Sequence, residues 1–144
     1  MEKGLQFEVV TPEKVVVSEV VEYVGAPGAE GDFGVLPNHV PLLSVLNTGN
    51  IMYRKGGLNH YVFVAMGLAE ISLNKVTILA EISELARDID KERAVSARDR
   101  ANLALGQKLE GREHAEALQA LQRAVGRIRT VEQAEASGSM KEKS

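Results

Sequence analysis

The chain has 144 residues with no cysteine and no tryptophan, and only 4% of it is aromatic. The absence of cysteine excludes disulfides, thiolate zinc sites and thiol nucleophiles together, and leaves three scattered histidines as the only soft ligands. A transition-metal centre is not expected. Few aromatics and a formal net charge of −3 argue against nucleic acid, which favours a concentrated basic stripe, often with stacking platforms. Long apolar runs are also missing. Nothing approaches the roughly 18 to 20 uninterrupted apolar residues that cross a bilayer, and Met1 to Glu8 has neither the basic nor the apolar region of a signal peptide. A soluble, cytoplasmic-facing protein is expected, with any membrane contact indirect.

What is present divides near Leu85, where the apolar period changes from two to about 3.6. Before that point, runs such as Leu5, Phe7, Val9 and Ala69, Ile71, Leu73 describe half-buried strands. Candidates are Leu5 to Val10, Val15 to Val17, Val20 to Val24, Gly31 to Val35, Leu42 to Leu46, Asn50 to Arg54, Tyr61 to Met66, Leu68 to Leu73 and Lys75 to Glu81. Gly56 with Gly57 gives a hairpin signal, and Asn74 with Lys75 a second reversal. Many short strands with regular turns predict an antiparallel sandwich or flattened barrel.

After the break, Asp88 or Asp90 can cap a helix and meet the positive end of its dipole. Ala94, Ala97, Ala101 and Ala104 make a narrow stripe of small side chains. Residues 106–111 supply a reversal, and Leu118, Leu121, Val125 and Ile128 follow with helical spacing. The expectation is an α+β chain: a sandwich over residues 1–86, an antiparallel two-helix hairpin over 87–134, and a disordered tail over 135–144. Alanine contributes little on burial compared with Leu or Phe, so the hairpin is expected to be weakly held and to have more than one arrangement. Charge divides at the same place. Residues 1–84 carry 5 Lys/Arg against 10 Asp/Glu, and residues 85–144 carry 12 against 10, so the arm is mildly basic.

Catalytic chemistry finds little support. GAPGAEGDFG spaces Gly25, Gly28, Gly31 and Gly34 three apart, but it lacks the Gly-Lys-Ser/Thr ending of a phosphate loop and no helix follows. Tight turns explain it. His39, between Pro37 and Pro41, has no Ser, Cys or carboxylate nearby to form a relay. His60 and His114 have no ligand-spaced partner, and Glu81, Glu84, Asp88 and Asp90 read more simply as caps and solvated charge.

Three blocks, GDFGVLPNHVPLLSVLNTG, AMGLAEISLNKVTILAE and DIDKERAVSARDRA, occur in an order that strongly resembles the epsilon subunit of F-type ATP synthase, the mitochondrial delta subunit. The likeness spans about 130 residues, from Leu5 to about Glu132. It implies a non-catalytic central-stalk subunit that turns with the rotor of a proton-translocating complex. Its sandwich would bind the gamma subunit and the ring of c subunits, with Glu30, Gly31 and Asp32 facing the ring and His39 near gamma.

The helical arm would restrain ATP hydrolysis by extending toward the alpha and beta catalytic subunits, with Arg123, Arg127 and Arg129 meeting acidic surfaces. The resemblance also implies a regulatory ATP site at Ile89, Asp90, Arg93 and Ala94, joined by Glu84, Arg100, Arg123 and Arg127, with no cofactor required. The expected location is the cytoplasmic face of a bacterial inner membrane, or the stromal thylakoid face in a chloroplast. A free-standing ATP-sensing adaptor is the alternative; a small hydrolase has almost no support.

Overall fold

Strand alternation survives almost intact in the computed structural model, which describes residues 4–141. Eight strands come first: β1 (Leu5–Val10), β2 (Val15–Val21), β3 (Tyr23–Ala26), β4 (Phe33–Val35), β5 (Leu42–Leu46), β6 (Gly49–Lys55), β7 (Leu58–Ser72) and β8 (Lys75–Leu85). A 3-10 turn (Ala86–Asp88), helix α1 (Lys91–Leu105), helix α2 (Gly111–Ser137) and a last 3-10 turn (Ser139–Lys141) follow.

The strands are ordered β2-β1-β8-β7-β6-β3-β4, with β5 on the second half of β7. All neighbours are antiparallel except β1 and β8, which run parallel. The sheet is therefore mixed, a pairing between distant segments that no local pattern announces. Gly56 and Gly57 form the two-residue β6–β7 turn with φ of 61° and 77°, the left-handed pair that suits strand twist. Leu73 and Asn74, rather than Asn74 and Lys75, make the β7–β8 reversal.

Two runs read as separate strands, 61–66 and 68–73, are joined, up to Ser72, in one strand, β7. Met66, the last residue of the first run, has φ of 57°. Across it the inward parity changes: Val62 and Val64 on one side, Ala69 and Ile71 on the other, all join the main core with Leu5, Phe7 and Ile51. Before Met66 the opposite face, Phe63 and Ala65, is buried too, in a second cluster with Ile89 and Val131. The unbroken run Val62-Phe63-Val64-Ala65 is thus a stretch covered on both faces, by the sandwich interior and by the arm.

Asp90 starts α1, accepting from Arg93 N–H at 3.1 Å, whereas Asp88 closes the preceding 3-10 turn. Ala94 and Ala101 are buried as the small-residue stripe predicted, with Ala97 and Ala104 half-buried. The seam on α2 differs from the sequence reading. Ala124, Ile128, Val131 and Ala134 are buried, while Leu118 stays exposed and Leu121 and Val125 are half-buried. Helix α2 serves two surfaces, α1 and the sheet, so no single apolar stripe describes it.

The tail also departs from expectation. Helix α2 continues through Ala136 to Ser137, and Gly138, with φ of 83°, closes it by donating to the carbonyls of Ala134 and Glu135. A glycine expected in a disordered tail is a helix cap. Residues 142–144 of the expected tail lie outside those described.

Candidate functional site

The seam between arm and sandwich is built on β7, β8 and α2. Glu84, next to the end of β8, accepts from Arg127 Nε at 2.5 Å, and the guanidinium carbon lies 4.8 Å from the centre of the Phe63 ring. Both charged side chains are partly shielded, so ion pair and cation–π contact together contribute about 1 to 2 kcal/mol. Gly126 brings the helix down onto this ring. A Cβ there would lie 2.8 Å from Phe63 Cε1 and 3.5 Å from the Gly49 backbone. Thr130, fully buried, returns its hydroxyl to the Gly126 carbonyl at 2.7 Å. One turn further on, Asn50 Nδ2 donates to Gln133 Oε1 at 2.6 Å, tying β6 to α2.

Among the residues that the family resemblance assigns to nucleotide, Ile89 and Ala94 are buried and Asp90 caps α1. Arg93 and Arg100 are exposed and Arg123 is half-buried; none of the three carries an ion pair among the described residues. Glu84 and Arg127 hold each other. The structure therefore brings together Glu84 with Arg127, but Ile89 belongs to the apolar cluster at the foot of the arm. A separate groove of about 860 Å³ opens between α2 and β3, β4 and β6. Tyr23, Phe33, Met52, Tyr61 and Arg129 are among the residues that line it, and none of those eight expected nucleotide residues does.

The outer face of the sandwich holds an apolar row that the strand-by-strand sequence reading missed. Val45 pairs with Leu68, Leu68 with Leu79, Leu79 with Val10 and Val10 with Val15, so five strands present one line of side chains. Val45, Leu79 and Val15 are 61%, 48% and 58% exposed, and Leu43 adds to the same face at 66%. Contiguous exposed apolar surface of this kind marks an interaction site. Its signal lay in the register, which alternation within one strand does not give.

The loop bearing His39 is anchored to the end of the β7–β8 hairpin. Asn38 N–H donates to Asn74 Oδ1 at 3.0 Å, fixing the loop to the β7–β8 turn, and His39 Nδ1 lies 2.6 Å from the Val40 carbonyl. Glu30, Gly31 and Asp32 are exposed at the β3–β4 turn. That turn is held to β5 by Ala29 N–H to Val45 O and Asn47 N–H to Pro27 O, both 2.8 Å. Gly28 and Gly31 make it: a Cβ on Gly28 would lie 2.6 Å from the Gly31 carbonyl, and Gly31 has φ of 135°.

In the core, Tyr53 stacks on His60 at 5.2 Å. Burial pushes its phenol up to about 12; the nearby Glu19 charge adds to this and Arg87 opposes it. Among the described residues no three His, Asp or Glu side chains are grouped to hold a metal ion, and no helix is long and apolar enough to cross a membrane.

Two family profiles match consecutive stretches that together span residues 4–132. Residues 4–86 match the β-sandwich domain of the ATP synthase delta/epsilon chain, and residues 87–132 match its long α-helix domain. The ATP synthase epsilon chain of Nitratidesulfovibrio vulgaris strain DP4 is 57% identical over 129 residues, covering 90% of this chain and 96% of that one. The epsilon chain of Maridesulfovibrio salexigens is 45% identical over 139 residues, covering 96% and 98%. A chain in the cryo-EM structure of Euglena gracilis mitochondrial ATP synthase, OSCP/F1/c-ring, has the same fold, with TM-score 0.77 at 19% identity, covering 94% of this chain and 83% of that one.

Proposed function

This chain belongs to the delta/epsilon chain family of ATP synthase, and on that premise we propose how its two faces divide the work of a central-stalk subunit. The protein is a non-catalytic subunit that couples the rotor to the catalytic head. The sandwich, residues 1–86, binds the gamma subunit through the apolar row Val45, Leu68, Leu79, Val10 and Val15. That row is the observation carrying the assignment, because a line of exposed apolar side chains running across five strands suits burial against a partner. His39 lies at the margin of this contact. The turn of Glu30, Gly31 and Asp32 meets polar loops of the c-ring.

The hairpin, from residue 87 onward, is the regulatory arm, and the folded position is its non-inhibitory state. Released, it extends along gamma, and Arg123, Arg127 and Arg129 pair with acidic surfaces of the alpha and beta subunits. Each exposed pair is worth only about 0 to 1 kcal/mol, so the three act together. ATP is the regulatory ligand of the folded arm. It recruits Arg93, Arg100 and Arg123, and takes Arg127 from Glu84 for its phosphates. The complex works at the cytoplasmic face of a bacterial inner membrane, a reading supported by the bacterial relatives.

Reconstitution tests the assignment. Added to an ATPase core that lacks it, the chain should join the stalk and lower hydrolysis; no change in either overturns the reading. Calorimetry tests the nucleotide separately, and absence of heat at millimolar ATP removes that part alone.

A further inference from the structure

The end of the arm meets the beginning of the arm. Met140 packs into the cluster of Phe63, Ala65, Ile89 and Val131. Ile89 is the residue at which the chain leaves the sandwich for α1, so Met140 sits against the point about which the arm would have to swing. Further contacts tie the end of α2 down around it. Ser137 Oγ donates to the Asn59 carbonyl on β7 at 2.9 Å, and Ser137 and Ser139 share a hydroxyl–hydroxyl bond of 2.9 Å. Ser139 is buried. Lys91, at the start of α1, reaches Glu132 at 3.6 Å and Glu135 at 3.8 Å on α2.

We propose that residues 137–140 form a clasp that holds the arm folded without nucleotide, by joining the end of α2 to β7 and to the foot of α1. The inference rests on reading the arm as mobile. Its residues lie beyond position 132, where the family's helix profile ends. Gly138 makes the clasp geometrically possible, because its left-handed turn reverses the chain so that Met140 points back onto Phe63 and Ile89 rather than away. Opening the arm then requires withdrawing Met140 and breaking the Ser137 bond at the same time. A ligand that favours the folded arm adds to this bias instead of supplying all of it.

Amide hydrogen exchange on the full-length chain tests the clasp. Met140→Asp places a charge in the apolar cluster, Met140→Leu keeps the apolar contact, and Ser137→Ala removes the bond to β7. Met140→Asp should speed exchange of the α2 amides from 124 to 137 about tenfold, the scale of losing part of one large apolar side chain's burial. Protection of β1 to β8 should not change, Met140→Leu should match the natural chain, and Ser137→Ala should fall between.

Unchanged α2 exchange in Met140→Asp overturns the clasp, as does equal acceleration throughout the sandwich. Hydrolysis by the rebuilt complex then separates the two readings. Stronger inhibition by Met140→Asp supports both; faster exchange with unaltered inhibition overturns the arm as inhibitor and leaves the clasp standing.

Discussion

At the scale of single residues, Tyr53 and Gly126 carry the sharpest consequences. The Tyr53 phenol is pushed up to about 12 from 10.0, chiefly by burial. A group whose folded value is raised contributes stability in full below its unfolded value and loses it as pH climbs through the folded value. Stability attributable to Tyr53 should therefore fall by about 2 kcal/mol between pH 10 and 12. Urea unfolding at several pH values in this window should show the loss, and Tyr53→Phe should flatten that component of the slope.

Gly126→Ala acts on docking instead. Its Cβ would meet the buried Phe63 ring, an overpacking cost of about 1 to 3 kcal/mol, against which alanine gains about 1 kcal/mol in helix propensity. The sum favours a released arm. A short bis-maleimide between Asn50→Cys and Gln133→Cys should then cross-link in lower yield than without Gly126→Ala, in a chain that otherwise has no cysteine to interfere.

At the scale of elements, the main core is complete without the helices. Leu5, Phe7, Val24, Ile51 and Ile78 enclose each other inside the sandwich, whereas Phe63 and Ala65 form the cluster that the arm covers. Ending the chain after Asp88 should leave a cooperatively folded sandwich, destabilised by exposing Phe63, Ala65 and Ile82. Circular dichroism melting checks this: a lower but still cooperative transition is expected, and a chain with no transition would contradict the independent sandwich.

The elements were largely legible in the sequence because strand alternation, Gly56–Gly57 and the Asp90 cap are local signals. Three features were not. The parallel pairing of β1 with β8 joins segments about 70 residues apart, and the Met66 parity change looks like a strand end. The α2 seam was misread because the helix answers to α1 and the sheet together.

At the scale of the whole molecule, the family blocks were readable, yet the surface proposed to bind gamma depends on register. Neither Val45 nor Leu79 stands out alone; they form one row only when β5, β7 and β8 are aligned. The Glu84–Arg127 pair was likewise visible only as two members of an expected ligand set, not as partners of each other. Replacing both Val45 and Leu79 by Glu should weaken association with gamma at least about tenfold, the usual effect of losing central apolar anchors. Their exposure means that stability should change by no more than about 0.5 kcal/mol for each. Sedimentation with gamma measures the first quantity and chemical unfolding the second.

The central claim is that one sandwich stays on the stalk while its arm, by leaving the folded position, restrains hydrolysis. Cross-linking Asn50→Cys to Gln133→Cys locks the arm on the sandwich and leaves the outer apolar row untouched. Hydrolysis by an ATPase core rebuilt with the locked and unlocked chains is the most direct test. Both should assemble, and only the unlocked chain should inhibit; equal inhibition by the two would contradict the account.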